Sequence, residues 1–110
     1  MLFRSETTVN LIGNSINALL AHPGELQKWH TDPSIGARAI DECLRYDGPV
    51  QGIVRFATRD VEIGERIIRR GEVVMGMTAA ANHDPEQFPE PETLDLGRSD
   101  IHHWIGRAHV

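Results

Sequence analysis

A helical period that stops at residue 48 and gives way to alternation constrains this chain most. In Ala39-Ile-Asp-Glu-Cys-Leu-Arg-Tyr-Asp-Gly-Pro-Val50, apolar Ile40, Cys43 and Leu44 recur at helical spacing. Gly48 and Pro49 cannot extend that helix. From Gln51 the period becomes two, as in strands. Helices ahead of the break and strands behind it make an α+β chain, mainly α. Glu42 and Arg45 are three positions apart, so they share a helix face. On an exposed helix such a pair contributes only about 0.3 kcal/mol. It is then a solvated ion pair; buried, it would be an anchor. The spacing alone leaves both readings open.

Composition narrows the field. With 110 residues the chain is long enough for one ordinary domain, and 40% hydrophobic with 25% charged residues is globular rather than disordered. The net charge of −5, without a lysine- or arginine-rich run, argues against nucleic acid. No apolar run approaches the ~20 residues that cross a bilayer, so no membrane span is predicted. No secretory signal opens the sequence. The single cysteine, Cys43, excludes an internal disulfide and suits a reducing compartment, so a cytoplasmic location is expected.

Residues 1 to about 21 are predicted helical, with Leu2, Val9, Ile12, Ile16, Leu19 and Leu20 at spacings of three and four. Glu6-Thr7-Thr8 breaks that stripe with polar groups. It is either a surface patch or a place where a threonine hydroxyl competes for a helical carbonyl and loosens the ladder. Pro23 opens a second helix, to Trp29 or His30. Asp32 reads as an N-cap with Pro33 at the first position of a third helix, running to about Tyr46. Gly36 weakens its first turn by ~1 kcal/mol relative to alanine. His22 and His30 read as solvated helix-end groups, since no second ligand lies at metal-site spacing.

Ile53–Thr58, Val61–Ile63, Arg66–Ile68 and Val73–Met77 alternate as strands, with turns at Gly64 and Gly71. They predict a small antiparallel sheet of three or four strands, which needs another layer over its apolar face. Arg55 in the first strand is compatible with an outward, solvated charge. Thr78–Phe88 predicts a short helical turn broken at Pro85. Pro85, Pro89 and Pro91 then enforce a meander without regular ladders.

Glu-x-x-Arg at a helix end with Arg-Tyr-Asp-Gly-Pro-Val50 behind it resembles the helix K signature of bacterial cytochrome P-450 enzymes. Four further stretches follow the same family order. Glu6-Thr7 resembles the acid–alcohol pair of helix I, although Phe3 and Arg4 stand where the family has small residues. Either this start is an altered junction or the helix serves no oxygen pocket. Arg55 matches the strand arginine that grips a haem propionate. Asn82-His-Asp-Pro with Phe88-Pro-Glu-Pro resembles the meander, and Leu94-Asp-Leu-Gly-Arg98 its ending. Ile101–Val110 resembles the run into the haem-ligand loop, with His109 at the propionate-binding histidine, Trp104 at the aromatic position and only one of the two expected glycines, Gly106; Ile105 and Arg107 stand where glycines are expected, or a residue has been lost.

What the resemblance implies is specific. The 110 residues form a single partial P-450-like domain: 1–50 helical (I, J and K-like helices), 51–77 small sheet, 78–110 meander and start of the haem-binding loop. The function implied is haem-dependent hydroxylation of a small organic substrate with O2, electrons coming from a ferredoxin-type donor. Glu6 and Thr7 would be catalytic, Arg55 and His109 would bind haem, and Glu42–Arg45 would pin the ligand loop together with a further arginine. In the family that arginine comes from the Phe-Pro-Glu-Pro region, where this chain has none, so the partner is unassigned and Arg98 is open to reading as a surface charge. The cysteine that ligates haem iron would follow Val110, and Cys43, inside Glu-x-x-Arg, reads as a small buried hydrophobe. A carboxy-side fragment with little catalysis of its own is therefore expected. The alternative is a non-catalytic remnant or partner-binding module, with exposed apolar faces promoting self-association.

Overall fold

The computed structural model describes residues 2–99, with side chains from residue 6 onward. His102, His103, Trp104, Gly106 and His109 lie outside the described residues.

Three helices come first. α1 (Leu2–Ala21) and α2 (Pro23–Thr31) follow the predicted spans, α2 opening with proline in its first turn. Asp32 is a cap, its carboxylate accepting from Ser34 N at 3.2 Å and from Ser34 Oγ at 2.6 Å. What it caps is a single 3-10 turn, Pro33–Ile35, which leads into α3 (Gly36–Asp47). Gly48 ends α3 in extended backbone, φ −71° and ψ 154°, as a residue before proline prefers. Asn14 of α1 donates to the carbonyl of Asp47 at 3.2 Å, fastening the two helices at that end.

His22 corrects the expectation of a solvated group. It is partly buried; its Nδ1 lies 2.9 Å from the Ala18 carbonyl and its ring stands edge-on to Tyr46 at 5.8 Å. A carbonyl only accepts, so Nδ1 carries a proton. His30 is exposed.

The four strands form two antiparallel ladders rather than one sheet. β1 (Ile53–Phe56) pairs with β4 (Val73–Gly76), and β2 (Val61–Ile63) with β3 (Arg66–Ile68). Between the two ladders, Arg70 N donates to Asp60 Oδ1 and Arg69 N to Glu72 Oε2, both at 2.8 Å, so carboxylates take these two amides. Ile63 faces Arg66 across a two-residue loop led by Gly64 at φ +60°, the sign a type II′ hairpin requires there.

Leu94 and Leu96 of the meander join Ala18 and Leu19 of α1 and Ala39 of α3 in one buried cluster, flanked by Trp29, Ile35 and Tyr46. The meander is thus one wall of the core. Other apolar faces stay open. Val9, Ile12, Ile16 and Leu20 fall on one side of α1 and are all more than half exposed, while Ala18 and Leu19 are buried. Val54 opposite Met75, and Phe56 opposite Val73, make an exposed face on the β1–β4 ladder. A helix apolar on two sides belongs to the interior of a larger body.

Candidate functional site

Glu42 and Arg45 are the two charges that helical spacing placed on one face, and both are buried, at 0% and 1% exposure. Arg45 Nε donates to Glu42 Oε1 at 2.7 Å and Nη2 to Oε2 at 3.0 Å, a two-point fork. Nη1 donates to the carbonyls of Asn82 and Pro91, each at 2.8 Å, and Nη2 also donates to Thr93 O at 3.0 Å. These five contacts match the five N–H donors of a guanidinium. Phe88 closes one side, its ring centre 5.4 Å from the Arg45 guanidinium carbon.

The prolines explain why arginine is needed here. Pro89 and Pro91 bring no N–H of their own and prevent regular pairing, so meander carbonyls lack ladder donors. Arg45 supplies them from α3. Arg98 supplies more: Nη1 donates to Pro89 O at 2.6 Å, and Nη2 to Glu90 O at 3.2 Å and Thr93 O at 3.0 Å. Arg98 Nε donates to Glu42 Oε2 at 3.2 Å, so Arg98 is the second arginine on the buried carboxylate. Residue spacing held no signal for it: a turn at Asp95–Arg98, with Arg98 N donating to the Asp95 carbonyl at 3.1 Å, brings the guanidinium back over the buried carboxylate.

Glu42 thus carries two guanidiniums. The surplus positive charge faces the carbonyls of residues 82, 89, 90, 91 and 93. Such an arrangement holds a loop against a helix. Glu90 bends the loop into reach with φ +49°, which turns its carbonyl toward Arg98.

The other expected site residues lie apart from this anchor. Glu6 and Thr7 are exposed on α1. Arg55 is exposed on β1, its Nη1 donating to Val54 O at 2.9 Å. Cys43 is 3% exposed, and burial pushes its thiol above the usual cysteine range. His83, just past the Asn82 whose carbonyl Arg45 of α3 holds, places Nε2 2.9 Å from Tyr46 O and Nδ1 3.1 Å from Glu92 Oε1. Among the described residues no group of three or more His, Cys, Asp or Glu side chains could hold a metal ion. Nor is any described helix long and apolar enough to cross a membrane.

The family model for cytochrome P450 matches residues 37–100, the span that contains the anchor and the meander. A putative cytochrome P450 133B1 of Xylella fastidiosa is 44% identical over 110 residues, covering 92% of this chain and 27% of that protein. The biotin biosynthesis cytochrome P450 of Bacillus subtilis is 45% identical over 105 residues, covering 94% of this chain and 27% of that protein. Among solved structures, P450BioI in complex with a hexadec-9Z-enoic acid-ligated acyl carrier protein superposes with a TM-score of 0.86 at 45% identity, over 89% of this chain and 26% of that one. The chain belongs to the cytochrome P450 family. It spans about a quarter of the length of these relatives.

Proposed function

We propose that the protein carrying this chain is a haem-dependent monooxygenase, hydroxylating a small organic substrate with O2 and fed by a ferredoxin-type donor in the cytoplasm. The observation that carries this reading is the burial of Glu42 and Arg45 at 0% and 1% exposure, clamped to the meander that leads toward the tail. A fully dehydrated carboxylate with two arginines is costly unless every group is paired, and it repays the cost by fixing one geometry for the loop it holds.

Haem, when bound through a cysteine thiolate, supplies the electron push that favours O–O cleavage. The chain's own residues would help hold the group and move a proton. Arg55, an exposed guanidinium on β1, fits a propionate carboxylate by charge and by its fork of donors. By the family resemblance, His109 would also hold a propionate. Glu6, exposed on α1, would take up a proton at its carboxylate and Thr7 would pass it through its hydroxyl. Cys43 does not serve as the ligand, because it is buried inside α3 with its thiol kept protonated. The 110-residue chain by itself is therefore expected to show little or no catalysis.

The acyl chain carried by the acyl carrier protein in the solved relative makes a carrier-bound fatty acyl group a reasonable first substrate to try. The second reading, a non-catalytic remnant or partner-binding module, draws on the exposed faces of α1 and the β1–β4 ladder. Reduction under carbon monoxide separates the two. The protein made from its own gene is expected to give the red-shifted Soret band of a thiolate-bound haem, and the 110-residue chain with added haemin is expected not to. A gene product without that band would favour the remnant.

A further inference from the structure

Asp95 and Leu96 are consecutive, and each backbone N–H is received by a carboxylate from a different helix. Asp95 N donates to Glu42 Oε2 of α3 at 2.8 Å. Leu96 N donates to Glu25 Oε1 of α2 at 2.9 Å. Asp95–Arg98 is a turn, and at its entrance two carboxylates from different helices hold successive amides. The next two amides are also committed: Gly97 N donates to Asp95 Oδ1 at 2.9 Å and Arg98 N to Asp95 O at 3.1 Å.

Glu25 is itself held. Lys28, one turn on, places Nζ 2.9 Å from Glu25 Oε2 and 3.2 Å from Oε1. The Glu25 hydrogen bond keeps the Lys28 ammonium above the usual lysine range. The Glu25 side chain is 17% exposed, and Leu96 beneath it is 0% exposed. A carboxylate here does what a neutral acceptor does less well, because an ionised acceptor makes a shorter and stronger bond to a backbone N–H. It acts on the residues just ahead of Arg98.

We infer that Glu25 is a positioning residue: together with Glu42 it clamps the Asp95–Leu96 segment between α2 and α3 and so sets the direction in which the chain runs on toward the haem-ligand loop. The second half of this statement rests on the proposed haem function; the clamp does not.

The test is residue-resolved amide hydrogen exchange on the protein made from its own gene, for wild type, Glu25→Ala and Glu25→Gln. Glu25→Ala is expected to speed exchange at Leu96 at least tenfold while Asp95, held by Glu42, changes less than twofold. Glu25→Gln keeps an acceptor oxygen and is expected to restore most of the protection. A Leu96 rate unchanged in Glu25→Ala would overturn the clamp. So would an equal rise at Asp95 and Leu96, which is general loosening. In parallel, the carbon monoxide spectrum of Glu25→Ala is expected to show a loss of the red-shifted band that Glu25→Gln regains. Altered exchange with an unchanged spectrum would remove the link to the loop, and a wild type with no such band would instead defeat the haem reading while leaving the clamp standing.

Discussion

Arg98 Nε and Glu42 Oε2 lie 3.2 Å apart although 56 positions separate them in sequence. The contact joins the end of the meander to the middle of α3. With Arg45 on the same carboxylate, it makes a three-residue junction that only the folded chain can assemble.

Removing the shared carboxylate should hurt most. Glu42→Gln leaves two guanidiniums around a neutral side chain, and breaking a buried pair in this way costs about 3–5 kcal/mol. Arg98→Leu leaves the Glu42–Arg45 fork in place and should cost less, about 1–3 kcal/mol for the lost charge-assisted bonds. Urea unfolding midpoints check the order. A cost for Arg98→Leu within the few tenths typical of surface charges would return Arg98 to the solvent.

Glu90 offers a test of backbone strain. Its φ of +49° disfavours a residue with a Cβ, by roughly 1 kcal/mol. Glycine and asparagine tolerate this region, and a β-branched residue does not. Stability is expected to rank Glu90→Gly and Glu90→Asn at or above wild type, with Glu90→Val clearly below. Thermal melts of the three variants would show the ranking, and a Glu90→Val melt equal to wild type would contradict it.

Cys43 sets a sign for alkaline pH. Burial raises its folded pKa above the ordinary 9.0, so the unfolded chain loses the thiol proton first. The unfolded state then binds fewer protons than the native state, and stability falls as pH rises from about 9. Cys43→Ala should flatten that part of the curve while lowering stability modestly at neutral pH, where a small cavity remains. Denaturant titrations between neutral pH and pH 10 read the slope, and an unchanged slope in the variant would assign it to other groups.

The open apolar faces predict association of the 110-residue chain on its own. Its radius of gyration is 16.4 Å, against about 13 Å for a compact domain of this length. Val9, Ile12, Ile16 and Leu20 line one exposed side of α1. Light scattering on the isolated chain should show a mass that rises with concentration. Ile12→Glu combined with Ile16→Glu should reduce that rise, since patches of this kind drive self-association. A strictly monomeric chain at high concentration would show that the faces are tolerated in water.

Much of the secondary structure was legible because its signals are local. Pro23 in a first turn, Asp32 as a cap, Gly48-Pro49 as a stop and Gly64 in a hairpin each act over a few residues, and the observed elements begin or end there. The junction was half legible. Helical spacing put Glu42 beside Arg45, but a pair three apart has the same spacing in water as in a core. Nothing in the spacing of Arg98 marked it as inward, because a turn at Asp95–Arg98, not strand alternation, carries it to Glu42. Nothing local marked Glu25 for the Leu96 amide or His83 for the Tyr46 carbonyl, since those backbone groups lie far along the chain. The split of the strands into two ladders was likewise hidden, because alternation marks strands without saying where their pairing is interrupted.

The sequence by itself determined the order of elements, the helix stop at Gly48-Pro49, the proline-stiffened meander and the pairing of Glu42 with Arg45. Their periods and backbone restrictions are properties of neighbouring residues. Only the tertiary structure decided that the pair is buried, that Arg98 completes it and that Glu25 takes the Leu96 amide. Burial and long-range hydrogen bonds depend on which surfaces exclude water together, and that is fixed when the meander closes over α1, α2 and α3, not by any stretch of chain alone.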